Sequence, residues 1–273
     1  MEIFLYGVVF IFGTIIGSFL NVVLYRLHTG KSLNGRSHCM TCGKTLSWYE
    51  LFPIFSYLSQ GGRCRGCAAH IPSRYIIVEL CTGISYMLIW HLFFANYFFL
   101  LVYFILISLF VLIVVYDIRH TIIPDELTLM VGGVALFIMG YEYILTEDLM
   151  NSVYRIVAGL GASFFFWGLW YISKGRWIGF GDAKLAIPLG VIAGLGDVFS
   201  MVVLSFWIGA AVSLTLLGIE KILKGGKTNL HFIASPITMK SEIPFAPFLI
   251  LGFIVVHFFH ADIFEITYAL FFP

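Results

Sequence analysis

The chain is predicted to be an all-α polytopic membrane protein, with about eight transmembrane helices and one small extramembrane domain between the first two. Three observations predict it. Of its 273 residues, 60% are hydrophobic and only 11% charged, with a mean hydropathy of +0.96. That is more apolar surface than a soluble domain of this length needs. Apolar runs long enough to span recur along the whole chain. The basic residues gather in alternate connections, the pattern of cytoplasmic loops. A net charge of +1 gives no case for nucleic acid as a partner.

The runs lie at approximately 3–25, 76–94, 97–116, 127–145, 153–171, 184–196, 198–219 and 244–260. No basic region precedes the first, which argues against a cleavable signal peptide. The second and third are separated only by Ala95-Asn96, a tight hairpin. The sixth is short and holds Pro188, Gly190, Gly194 and Gly196, so a broken or re-entrant segment is open there. Three parts follow: a first span (1–25), a tetracysteine segment (26–75) and a larger membrane domain (76–273).

With the N-terminus outside, four connections face the cytoplasm. They hold Arg26, Lys31, Arg36, Lys44, Arg63, Arg65 and Arg74; then Arg119; then Lys174, Arg176 and Lys184; then Lys221, Lys224, Lys227 and Lys240. Of the 16 Lys and Arg residues only Arg155 is left outside. The positive-inside rule therefore fixes this orientation, in which Glu147, Asp148 and Asp197 face out. Residues 220–243, basic and rich in Gly, Ser and Thr, read as a flexible loop.

Two carboxylates stand out against this background. Asp117 follows LFVLIVVY, and Asp182 sits in GFGDAK, both at apolar span ends on the cytoplasmic side. A carboxylate near membrane depth is costly and is functional by default. Two on the same side can share a proton and activate water. The plainer alternative, interfacial acids at helix ends, suits Asp125 and Glu126 at the start of a helix better. Pro124 is placed to open that helix. Gly179 and Gly181 let another backbone approach closely, and Lys184 either tunes the neighbouring charge or snorkels to the interface.

The four cysteines Cys39, Cys42, Cys64 and Cys67 form two C-x2-C pairs separated by 21 residues. This is the ligand set of a structural, zinc-ribbon-like Zn2+ site. Each pair is followed by a small residue, Gly43 or Ala68, as a knuckle turn requires. Cytoplasmic placement argues against stable disulfides. Cys81, within an apolar run, reads as a packing residue.

Gly179-Phe180-Gly181-Asp182 with Tyr116-Asp117 resembles the GxGD class of intramembrane aspartyl proteases. The Lys184 extension and the spacing to Pro124-Asp125 are more similar to the bacterial type IV prepilin peptidases. GSFLNVVLYRL, the tetracysteine loop, IPSRYIIVEL and IPFAPFLILG resemble that family in the same order, and the PAL motif of signal peptide peptidases is absent from the sequence.

The resemblance implies an inner-membrane aspartic endopeptidase. Asp117 and Asp182 would be its dyad, working by acid–base hydrolysis without a covalent intermediate, and prepilins or pseudopilins its substrates. It also implies a second reaction, N-methylation of the new amino terminus with S-adenosylmethionine. Gly17, Ser18, Asn21, Glu50, Arg74, Glu79 and Gly83 lie in the matching segments, with Glu50, Arg74, Glu79 and Gly83 the methyl-transfer candidates. A structural contact of Glu79 with Arg74 or Asn21 explains that carboxylate equally well. Asn21 also suits helix packing, and Glu50 suits a loop anchor beside Trp48-Tyr49. Two rivals remain at this stage: a presenilin-like protease without methyltransferase activity, and a small-molecule transporter whose acids line an ion path.

Four further features read as packing or surface. His257, His260, Asp262 and Glu265 make a weak metal candidate on the outer face. Phe164-Phe165-Phe166-Trp167 reads as lipid-facing or packing, and Gly132/Gly133 and Gly209/Ala210 as helix contacts.

Overall fold

The computed structural model describes residues 2–27, 32, 34–223 and 244–263. Its long helices are α1 (Glu2–Arg26), α3 (Arg74–Phe93), α4 (Tyr97–His120), α5 (Asp125–Thr146), α6 (Leu149–Ser173), α7 (Phe180–Ala193), α8 (Leu195–Leu223) and α9 (Ala246–Phe259). A short helix, α2 (Phe55–Ser59), and a single 3-10 turn at Trp48–Glu50 lie between α1 and α3. Each apolar run thus becomes one helix.

Six of these helices are long and apolar enough to cross a membrane, which makes this a multi-pass membrane protein. The other two, α7 and α9, have 14 residues each. At 1.5 Å per residue that is about 21 Å, short of a hydrocarbon core of roughly 30 Å. The difference has a physical reason at α7: Gly194 adopts φ +84° and stops the helix, and α8 starts at Leu195. α7 is nonetheless one continuous helix, with Pro188 inside it. Helix α8 runs on to Leu223, past the loop start expected at 220; Glu265 and residues 224–243 lie outside the described residues.

The chain divides into two compact units, Met1–Val115 and Tyr116–Pro273. In the first, α1 and α3 pack through small residues. A Cβ on Gly13 would sit 2.8 Å from the Gly83 Cα, and one on Gly17 would sit 2.8 Å from the Glu79 Cα. Such close approach is how membrane helices gain contact without a hydrophobic drive between them. Asn21 Nδ2 donates across the same pair to the Tyr75 carbonyl at 3.1 Å, the packing role its sequence suggested. Tyr86 stacks on Phe104 with ring centroids 4.1 Å apart, tying α3 to α4.

In the second unit, α7 is the central element, buried along most of its length. Gly190 and Gly159 bring α7 and α6 together: a Cβ on Gly190 would lie 2.7 Å from the Gly159 Cα. Arg155 of α6 caps the far end of α7, its Nη1 donating to the carbonyls of Val191 at 3.2 Å and Ile192 at 2.8 Å. It also pairs with Glu142 of α5 at 2.6 Å. One side chain therefore satisfies carbonyls that a helix end leaves without partners.

Several packing readings need correction. Gly132 and Gly133 face open space, so they line no helix contact among the described residues, whereas Gly209 does pack against Phe248. Cys81 is exposed rather than packed. The aromatic run needs none, since it is part packing and part outward-facing: Phe166 is fully buried while Phe164 is 69% exposed. His257 is half-buried and stacks on Phe253, and Asp262 accepts a hydrogen bond from the Ser200 hydroxyl at 2.7 Å.

Candidate active site and metal centre

Asp117 lies in the last turn of α4 and Asp182 in the first turn of α7, so both belong to helices and not to the irregular stretches beside them. Each is only 5% exposed, in surroundings where Leu185, Ala186 and Leu189 are fully buried. The carboxylates stand close enough for the charge of Asp117 to act directly on Asp182. Two acids far apart in sequence therefore converge in an apolar interior.

Each carboxylate is held by a backbone amide. Gly179 N–H donates to Asp182 Oδ2 at 3.1 Å, and Asp182 N–H returns to the Gly179 carbonyl at 3.2 Å. Asp182 thus closes the first turn of its own helix, as acids at that position do. Its other oxygen, Oδ1, is buried with no hydrogen-bond partner among the described residues. A buried oxygen left bare is costly unless something else occupies the site. Asp117 accepts from the N–H of Ala246, the first residue of α9. That amide is one of the donors a helix start leaves free, and it gives the IPFAPFLILG segment a direct part in the site.

The glycines act through space. Gly181 packs on Ile123, where a Cβ would sit 3.1 Å from the Ile123 Cβ. Lys184 is not turned to the aspartates: it pairs with both oxygens of Asp125 at 2.8 and 2.9 Å and lies over the Phe180 ring. It thereby ties the start of α7 to the start of α5.

In the first unit the four thiols of Cys39, Cys42, Cys64 and Cys67 lie within 4.8 Å of one another. Four thiolates at roughly 2.3 Å from one ion in a tetrahedron stand about 3.8 Å apart, and Cys39 Sγ lies 3.8 Å from Cys67 Sγ. The two halves repeat one turn. Cys39 N–H bonds to the Lys44 carbonyl and Gly43 N–H to Cys39; Cys64 N–H bonds to Ala69 and Ala68 N–H to Cys64. Gly43 and Ala68 hold the same left-handed position, at φ 71° and 56°. Backbone donors from Cys42 and then Thr41 pull the Cys39 thiol down to about 6, favouring the thiolate a metal needs. The donor set fits structural zinc. Purified protein is expected to carry about one zinc per chain by metal analysis. Cys39→Ser/Cys67→Ser should lose it, and reduced wild type without metal would overturn the assignment.

Beside this cluster lies a cavity of about 210 Å³, lined by residues of α1, the cysteine module and α3, including Ser18, Asn21, Glu50 and Glu79. Of the four methyl-transfer candidates, Glu50 and Glu79 line it. Arg74 instead lies over the Tyr75 ring, and Gly83 packs on Phe10 and Thr14. Glu50 does anchor its loop: it is buried, accepts from Ser47 N–H at 2.9 Å and pairs with Lys44 at 3.0 Å. Those two donors, Ser47 first, hold its carboxyl below the ordinary range. Glu79 meets neither Arg74 nor Asn21. It accepts from Ile54 N–H at 2.7 Å and from the Ser18 hydroxyl.

The sequence matches two family descriptions. Residues 11–93 match the bacterial peptidase A24 N-terminal domain and residues 104–214 the type IV leader peptidase family. Similar proteins named prepilin leader peptidase/N-methyltransferase occur in Myxococcus xanthus (32% identical, covering 76% of this chain and 62% of that protein) and Stutzerimonas stutzeri (27% identical, covering 89% and 86%). Another, from Bacillus subtilis, is 29% identical over 92% of this chain and 93% of its own. The chain thus spans less than two thirds of the M. xanthus protein and most of the other two. No solved structure matches the chain. The two adjoining matches and these relatives show that the chain belongs to the type IV leader peptidase family.

Proposed function

We propose that this membrane protein cuts the leader from type IV prepilin-like proteins and methylates the amino terminus so released. The observation that carries the first reaction is the pair Asp117 and Asp182. They are two buried carboxylates from different helices, one with an oxygen that no donor among the described residues satisfies. In this reading one carboxylate removes a proton from water as the water attacks the scissile carbonyl. The other, protonated, hydrogen-bonds the carbonyl oxygen and then passes a proton to the leaving nitrogen. The amides of Gly179 and Ala246 hold the two carboxyl groups in register.

The dyad sits at the cytoplasmic end of α4 and the start of α7, because the basic connections lie on that side. A prepilin leader is short and basic and stays in the cytoplasm while an apolar helix enters the bilayer, so the junction reaches this depth. The cutting chemistry lies within residues 76–273. Methylation is assigned to the first unit, around the 26–75 module, with zinc in a structural role. S-adenosylmethionine supplies a methyl group activated on a sulfonium, and Ser18, Asn21, Glu50 and Glu79 line the cavity that would hold it.

One experiment tests both reactions. The full chain, purified in detergent, is incubated with a prepilin-like peptide and labelled S-adenosylmethionine, and the products are weighed by mass spectrometry. The expected result is a cut at the leader junction and one added methyl on the new terminus. An uncut peptide overturns the protease reading, and a cut but unmethylated product overturns the second activity.

A further inference from the structure

The cavity of the first unit holds two carboxylates with different surroundings. Glu50 is already neutralised by Lys44 at 3.0 Å. Glu79, only 7% exposed, has no ammonium or guanidinium partner among the described residues. Its donors are an amide and a hydroxyl, Ile54 N–H at 2.7 Å and Ser18. The nearby polar and guanidinium groups are committed elsewhere. Arg74 is over the Tyr75 ring, and Asn21 is bonded to the Tyr75 carbonyl. Arg26, which also lines the cavity, gives Nη1 to the carbonyls of Ser32 at 2.8 Å and Asn34 at 3.0 Å. A buried carboxylate without a counter-charge is among the most costly groups a fold can carry. Here it faces a cavity of about 210 Å³, with Tyr25 and Tyr57 in the wall.

We infer that this cavity is a receptor for an organic cation and that Glu79 is its fixed counter-charge, acting as a binding residue. Aromatic walls favour such cations. The inference rests on the methylation proposed above and deepens it, because that reaction offers two such ligands. One is the sulfonium of the methyl donor; the other is the amino group of the freshly cut peptide. Each presents a localised cationic centre, on sulfur or on nitrogen, which is the chemistry Glu79 recognises.

Binding to the full-length protein in detergent, measured by calorimetry, tests this with two matched pairs. S-adenosylmethionine is compared with S-adenosylhomocysteine, which lacks the positive sulfur. A peptide beginning with phenylalanine is compared with its N-acetylated form. Wild type should bind at least one cationic member about 10-fold more tightly than its neutral partner. Glu79→Gln should erase that preference while still binding the neutral member, which shows that the variant is folded. Glu79→Asp, retaining the charge, should restore part of it. Whichever pair loses its preference identifies the ligand. The inference is overturned if wild type shows no preference in either pair, if Glu79→Gln keeps it, or if that variant loses both members equally. Failure of the methylation reading looks different: wild type then transfers no methyl group to the cut product, whatever its binding preference.

Discussion

Replacing either Asp117 or Asp182 with asparagine is expected to lower cleavage of a prepilin-like peptide by at least roughly 10⁴-fold. Asparagine keeps the volume and an acceptor oxygen, so the amides of Ala246 and Gly179 retain their partners. What is lost is the ability to take or give a proton. The substitution removes a charge from a buried apolar place, so the fold should not suffer. Steady-state cleavage and thermal unfolding measured together read the two effects apart. Because the pair acts as one unit, the double variant should be barely worse than either single one. A variant that still cuts at a tenth of the normal rate or better would remove the dyad from the mechanism.

The second large effect is expected at Gly190. A Cβ there would meet the Gly159 Cα at 2.7 Å and the Ala158 carbonyl at 3.1 Å, both backbone atoms that cannot rotate aside. Gly190→Leu should therefore destabilise the second unit by about 3 kcal/mol, near the upper end of what overpacking costs. Protein that survives should cut poorly, because α7 must shift and carries Asp182 with it. A displacement of about 1 Å at a reacting group costs on the order of 10²-fold. Gly132→Leu is the matched control, since nothing lies within 4 Å of a Cβ there. Unfolding temperature and cleavage rate should barely change in the control. Equal loss in the two variants would show that tight α6–α7 packing is not what positions the aspartate.

That contrast also shows where sequence reading stopped. Gly132 and Gly190 are the same residue in similar apolar runs, and which of them touches a neighbour depends on how each helix is rotated. Helices apolar on every side carry no periodic signal to set that rotation. The span positions were legible because length and hydropathy suffice for them. The aspartates and the four cysteines were legible because charges and paired thiols are rare in such a sequence. Partners were not. The Lys184–Asp125 pair joins residues 59 apart, and Glu79 is met by a main-chain amide from residue 54, which no side-chain pattern reveals. The Ala246 amide at Asp117 is hidden for the same reason, although the segment that supplies it stood out as a motif.

Pro188 lies six positions beyond Asp182 and has no amide hydrogen, so the carbonyl of Lys184 loses its usual partner one turn on. Lys184 itself is fastened to α5 through Asp125, whereas everything beyond Pro188 is fastened to α6 through Gly190 and Arg155. The aspartate-bearing turn is thus anchored on two sides, by Lys184 to α5 and by the Phe180 ring against Trp170 of α6, with centroids 5.2 Å apart. Bracing from both neighbours steadies residue 182 in a helix that lacks one of its own rungs.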